Sequence, residues 1–372
     1  MFWRLITICL SVYFLLFAAP VRAEKSEYKE GEAAVKGLLF GAQDIFVELH
    51  GFLNVEAYNF QSGASSSRRI PSFDLHNFYL SAKAQPAKGF TAFAEVEYEH
   101  GTEQIKIDRA FIDWEAFTWG TIRIGRFYSA ITYERSRYWA PVRPMTSRPL
   151  TVDIAMNEWS ETGIEILGYP VPRKDFIYYE LGVMNGPRGL SGAGIPVSLG
   201  DDDRDNNRNK TFVGRLNVNP LRGLTLGSAY ATGKYDDAGD LSFNIIEFDA
   251  RYTVARLDLW GEYMKRTGDD EPAPVPTNPF ITGVKAGFQG YYLLAAYHLI
   301  EDRRNVNYLA PIVRYDMVEE TSSGAGKSRV TVGLNYSPRK HVVFKSEYQF
   351  VHELTGAQLK NNGAMFSAVL DF

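Results

Sequence analysis

The sequence predicts an all-β fold: a transmembrane antiparallel up-and-down barrel of about sixteen strands, with a long third loop folded inward. Strand-length segments of alternating polarity recur from about residue 45 to the last residue. The connections between them alternate between tight and long in strict order. Composition supplies the third observation: 22 Tyr, 24 Phe and 32 Gly with a mean hydropathy of -0.22. Helical membrane proteins cannot look like this, because each spanning helix must be nearly all apolar over about 20 residues. A barrel can, since only alternate residues of each strand face lipid.

The N-terminus reads as an export signal. Arg4 supplies positive charge, residues 5–19 are an apolar run, and Val21, Arg22 and Ala23 offer a cleavage site before Glu24. The expected organisation is therefore a signal peptide over 1–23, a periplasmic leader over 24–44 and a barrel over 45–372. For the leader, a short helix and a disordered segment both fit its mixed charge and its Ala33, Ala34 and Val35. The only cysteine, Cys9, lies inside the signal, so disulfides, thiolate metal sites and cysteine nucleophiles are excluded from the mature chain. Losing Arg4 and Arg22 takes Lys+Arg from 40 to 38 against 44 acids, a formal charge of -6. That balance gives no support to nucleic-acid binding.

The sixteen strand candidates, in order, are 45–60, 73–85, 90–99, 105–117, 120–129, 160–168, 175–184, 210–219, 223–233, 242–255, 256–267, 286–299, 307–319, 328–337, 341–352 and 362–372. Tight turns fall at 86–89, 118–120, 170–174, 220–223, 255–256, 301–306 and 337–340. Between them lie longer loops at 61–72, 130–159, 185–209, 234–241, 268–285, 320–327 and 353–361, with one short member at 100–104. Transmembrane barrels have this asymmetry, with short turns on the periplasmic side and longer loops outside. A soluble sandwich would not give one loop polarity at every second connection.

Alternation also assigns the faces. Val330, Val332, Leu334 and Tyr336 oppose Arg329, Thr331, Gly333 and Asn335; Ile246, Phe248, Ala250, Tyr252 and Val254 oppose Glu247, Asp249, Arg251 and Thr253. A charge at the lipid midplane costs about 2–4 kcal/mol, so the charged sets point inward. The final segment places Phe366, Ala368, Leu370 and Phe372 on one face and ends in an aromatic residue. Such an ending resembles the C-terminal strand of outer-membrane proteins.

The lumen of a sixteen-stranded barrel is too wide for wall side chains to fill. The longest connection, 130–159, is the candidate constriction, carrying Arg135, Arg137, Arg143 and Arg148 against Glu134, Asp153 and Glu158. Guanidinium forks suit anionic groups and basic rings favour anions in pores; the alternative is that these arginines pair with wall carboxylates and pin the loop. By alternation the inward wall carries Glu95, Glu97, Asp113, Glu115, Glu165, Glu180, Glu247, Asp249, Asp258, Glu262, Asp316 and Glu347. The inward bases are Lys83, Arg109, Arg123, Arg215, Arg251, Arg314 and Lys345. An acid-leaning wall opposite a basic loop implies a transverse field across the constriction.

Arg109-Ala110-Phe111-Ile112-Asp113-Trp114, the turn Thr118-Trp119-Gly120 and Ile122-Arg123-Ile124-Gly125-Arg126-Phe127-Tyr128 resemble the strand pair before the third loop in Gram-negative porins. The resemblance is nearest to the phosphate-selective porins O and P, over about 105–135. It implies an outer-membrane channel, often trimeric, narrowed by its third loop and passing ions and small hydrophilic solutes without a cofactor. Those family members have lysine- and arginine-rich lumens, and this wall departs from that pattern.

Other features are weaker. The run Asp201-Asp202-Asp203-Arg204-Asp205-Asn206-Asn207 has oxygen ligands but no EF-hand spacing and reads as a solvated loop tip. Pro272, Pro274, Pro276 and Pro279 read as a stiff surface loop. The six histidines show no HExxH or other metal spacing, and GxSxG is absent, so the sequence points away from an enzyme. From another class, a barrel acting as scaffold or receptor, for instance around an electron-transfer partner, is the alternative. Conductance across a bilayer separates the two.

Overall fold

A computed structural model describes residues 26–30, 33–42, 45–63, 70–100, 104–133, 139–156, 159–170, 176–187, 205–270, 287–302 and 307–372. Two short strands come first, β1 (Ser26–Glu30) and β2 (Ala33–Ala42). The first half of the barrel then contains β3 (Ile45–Phe60), β4 (Ser72–Ala87), β5 (Phe90–Glu99), β6 (Gln104–Phe117), β7 (Gly120–Tyr128), β8 (Ser160–Gly168), β9 (Ile177–Met184) and β10 (Thr211–Leu221). The rest is β11 (Leu224–Lys234), β12 (Ser242–Val254), β13 (Leu257–Gly268), β14 (Phe288–Tyr297), β15 (Ile300–Asp302), β16 (Asn307–Glu320), β17 (Gly326–Arg339), β18 (Val342–Glu353) and β19 (Gly363–Asp371). Strand β15 continues β14 after a break at His298 and Leu299, both facing β16. With that pair counted once and β1 and β2 set aside, sixteen antiparallel strands form one closed barrel.

Closure is made between the last strand and β3, which pair from Gly363 with Phe60 to Asp371 with Phe52. The chain end seals this seam, because Gly51 and Phe372 exchange backbone bonds of 3.0 and 2.9 Å. Only glycine fits there: a Cβ on residue 51 would lie 2.5 Å from the Phe372 ring and 2.6 Å from the Tyr79 carbonyl oxygen. Among the described residues the ring of strands thereby has no open seam between first and last strand, as hydrocarbon requires.

The face assignment holds along the wall. Phe248 is 51% exposed, while its neighbours Glu247 and Asp249 are 0% and 5% exposed. Val330, Val332, Leu334 and Tyr336 are exposed, while Arg329, Thr331 and Asn335 are buried inside. Near the tight-turn end, outward aromatic side chains stack, Phe117 on Trp119 at 4.7 Å and Phe90 on Trp114 at 6.0 Å. That band matches the aromatic girdle of a barrel at the membrane interface.

Three details differ from the sequence reading. Where a helix or a disordered leader was expected, residues 26–30 and 33–42 are extended, and β2 pairs with residues 45–49 of β3. The physical reason is that β19 pairs with β3 only from residue 52 onward, and β2 covers the edge that would otherwise be left open. On β6, a bulge opposite Glu95 and Val96 turns Asp108 and Arg109 inward together, where strict alternation allows one. The inner face is also less polar than alternation with water implies, since Phe93, Phe111, Phe127, Phe243, Met264, Phe288, Leu294 and Ile312 point in and are buried. Residues 1–25, the 201–204 acidic run and the prolines of 271–286 lie outside the described residues.

Candidate functional site

The third loop leaves β7 at Tyr128 and returns at Ser160 of β8; residues 129–133, 139–156 and 159 are described. It runs through the lumen and seats on the apolar part of the inner wall. Ile131, Leu150 and Trp159 pack with Phe93, Phe127, Phe243, Met264 and Phe288. Ala140 and Trp139 pack with Phe52, Tyr79 and Val343, and Met145 packs with Tyr292, Leu294 and Ile312. Burial of a Leu, Ile or Met contributes about 1.5–3 kcal/mol each. These inward apolar residues therefore form a bed for the loop.

Polar tethers fix the loop's register on this bed. Glu347 of β18 accepts the Thr146 amide at 2.9 Å and the Ser147 amide at 3.2 Å. Asp316 of β16 accepts the Leu150 amide at 2.8 Å. Arg314 donates to the Ser147 carbonyl and hydroxyl at 2.8 and 2.9 Å and to the Arg148 carbonyl at 3.0 Å. Arg329 of β17 also donates to the Arg148 carbonyl, and Asp316 ties the two guanidiniums at 3.1 and 2.7 Å. Asn335 donates to the Pro144 carbonyl at 2.8 Å, Lys345 donates to the Ala140 carbonyl, and Thr132 donates to Glu262 of β13 at 2.6 Å. A single π-helical turn, Thr151–Met156, lies against β14 and β16.

These distances sort the residues singled out by sequence. Arg215, Arg314 and Asp316 anchor the loop: Arg215 donates to the Ile131 carbonyl at 3.2 Å while Glu247, at 2.9 Å, and Asp249 hold its guanidinium. Arg251 lies 3.4 Å from Asp249 and 3.7 Å from the centre of the Tyr133 ring. Arg109, Asp113 and Arg123 instead pair along the wall, Arg109 with Glu95 at 2.9 Å, and Arg123 with Asp113 at 2.7 Å and Glu165 at 3.2 Å. Glu115 keeps its inward parity but sits near the turn end and is exposed. Of the loop arginines, Arg143 is buried, 3.7 Å from Glu56 of β3, and donates to the Met145 carbonyl at 3.1 Å. Arg148 is half-buried, and Arg135 and Arg137 lie outside the described residues. Arg143 thus ties the loop to the wall.

Sequence reasoning missed Arg329, Glu56, Asn335 and the cluster Asp74, His76 and His100 as parts of the interior site. Alternation already placed Arg329 and Asn335 inward, without naming what they touch. The cluster carried only a weak signal, two residues of one β4 face and a third beyond β5.

A closed barrel with an apolar outer face, a charged interior and a loop folded across that interior is an outer-membrane channel. The chain belongs to the Gram-negative porin family, whose sequence profile matches residues 15–356. Among solved structures, it is similar to the anion-selective porin from Comamonas acidovorans at 12% identity and a TM-score of 0.64, covering 88% of this chain and 100% of that one. The Salmonella typhi OmpF complex with daunomycin gives 13% identity and a TM-score of 0.63, covering 90% and 100%. The trimer form of Vibrio cholerae OmpT gives 12% identity and a TM-score of 0.58, covering 88% and 99%. At these identities the likeness concerns the fold. Among curated proteins none matches the sequence. The protein is a porin of the outer membrane and provides a passive pore.

Proposed function

We propose that the third loop sets the width of this pore and that its charge, set against the wall, biases which ions and small hydrophilic solutes pass. The observation that carries the reading is the tethering of residues 146–150 to Glu347, Asp316 and Arg314, which holds the loop inside the lumen rather than above it. Arg135, Arg137, Arg143 and Arg148 supply the basic side and favour anions. The wall opposes them: among the described residues, fourteen acidic side chains of the strands are buried against five Lys and Arg. Selectivity is therefore weak overall, the sum of two opposed contributions. Phosphate selectivity is not part of the proposal, because the wall lacks the basic ladder of the porins O and P.

The test is conductance in a planar bilayer under a salt gradient. Stable steps with a small reversal potential are expected, and replacing the four loop arginines with Ala should move that potential toward cations. An unchanged potential would remove the loop charge from the account, and a silent bilayer would favour the scaffold reading. The assembly is read as a homotrimer, supported by the family membership and by the trimer form among the similar structures. Light scattering of the detergent-purified protein checks it, a monomer mass overturning that part alone.

A further inference from the structure

Asp74 and His76 sit on the inward face of β4 near its loop end, and His100 caps the end of β5 beside them. The backbone brings them together, with the His100 amide donating to the His76 carbonyl at 2.9 Å. Asp74 Oδ2 lies 2.8 Å from His100 Nδ1 and 3.4 Å from His76 Nδ1. One donor atom from each of the three lies within 4.8 Å of the others. Ligands bound to one metal at about 2.1 Å stand roughly 3–3.4 Å apart, so small side-chain rotations bring this trio onto a common ion.

A second observation concerns His76. Its other ring nitrogen, Nε2, lies 3.9 Å from Glu56, a buried carboxylate that also accepts from the Asn54 side-chain Nδ2 at 3.0 Å and faces Arg143. A ligating histidine characteristically presents its second nitrogen to a carboxylate, which fixes the ring. The turn therefore supplies two imidazoles and one carboxylate, with a second carboxylate 3.9 Å beneath. It leaves the side toward solvent open, since His100 is 44% exposed at its side chain.

We infer that Asp74, His76 and His100 form a binding site for a divalent transition metal, of the zinc, nickel or copper class, at the loop-side mouth of the pore. Two imidazoles with one carboxylate suit these ions, whereas calcium and magnesium require oxygen-rich shells. The site does not depend on which ions the channel passes. Because Glu56 faces both His76 and Arg143, an ion held there adds positive charge close to Arg143 of the constriction loop.

The experiment is calorimetric titration of the full-length, detergent-purified protein, first cleared of metal by a chelator, with zinc, with nickel and with calcium. A single saturable zinc or nickel site and no calcium site are expected. Asp74→Asn, His76→Gln and His100→Asn should each lose saturable binding. Asn suits residue 100 because the backbone there is left-handed, with φ of 47°. His352→Gln, on β18, should leave binding unchanged. Barrel folding in each variant is checked by the heat-dependent shift in gel mobility. Absence of zinc and nickel binding by the parent protein overturns the assignment. So does undiminished binding by the folded variant lacking all three groups, and the histidines would then serve only to fasten the turn.

Discussion

Asp316 is the keystone of the loop tether, and its removal gives the sharpest prediction. Its carboxylate is 0% exposed and accepts the Leu150 amide at 2.8 Å, Arg314 at 3.1 Å and Arg329 at 2.7 Å. Arg314 in turn holds the carbonyls of residues 147 and 148, and Arg329 that of residue 148. Asp316→Ala deletes the hydrogen bond from the Leu150 N–H to a charged acceptor and leaves two guanidiniums without this carboxylate. Breaking a buried pair in this way costs about 3–5 kcal/mol. At 1.4 kcal/mol per decade, the balance between latched and released loop shifts by roughly two to three and a half decades. Single-channel recording reads this directly: the parent should give quiet steps, and the variant flickering substates with greater open-channel noise. Barrel formation, followed by gel mobility, should persist because the strands close without the loop. If a folded variant conducts with the same step size and noise, either this cluster does not hold the loop or the loop does not set the aperture.

Gly290→Ala tests the bed beneath the loop, because a Cβ there would meet the Met317 carbonyl oxygen at 2.5 Å and Thr151 Cγ2 at 2.6 Å. Overpacking of this kind costs about 1–3 kcal/mol, so the unfolding temperature should fall; an unchanged one contradicts the packing. Arg143→Ala should move the reversal potential toward cations, because it uncovers Glu56, whereas no movement means that Arg143 only braces the loop. Val332→Arg, at an outward position near the middle of β17, should cost about 2–4 kcal/mol in lipid, read as a lower urea midpoint, and tolerance would refute its lipid-facing assignment. Beyond the end of β13, the Ser242 hydroxyl and amide, at 2.6 and 2.8 Å, hold the Asp269 carboxyl below the usual carboxylate range. A depressed value means this contact is present at neutral pH and is lost only as pH falls through that lowered range, so the Ser242 amide should stay protected from hydrogen exchange in mild acid. Loss of protection above that range would count against the contact.

Much of the barrel was legible because its determinants are local. Strand parity is a property of neighbouring residues, and Glu247 beside Phe248 already states which way each must point when one side is lipid. Short turns and long loops likewise follow from where the alternation stops, and sequence reasoning placed the strands within a few residues of those observed. The leader was ambiguous because its conformation depends on the uncovered edge of β3, a feature of barrel stagger rather than of its own residues.

The third loop marks the boundary between the two kinds of information. Length, position and arginine content made it the candidate constriction from sequence alone. The division of labour was not written there: Arg215 and Arg314 anchor the loop, while Arg109 and Arg123 pair along the wall. Thr146 meets Glu347, and Leu150 meets Asp316, across the whole interior. Alternation gives each side chain a direction but no distance, and charges that face one lumen become partners only when barrel closure fixes how far apart the strands stand. The sequence by itself thus determined the closed barrel, its lipid face and the loop that enters it. Tertiary structure decided which inward charges hold that loop and which remain to face the solute.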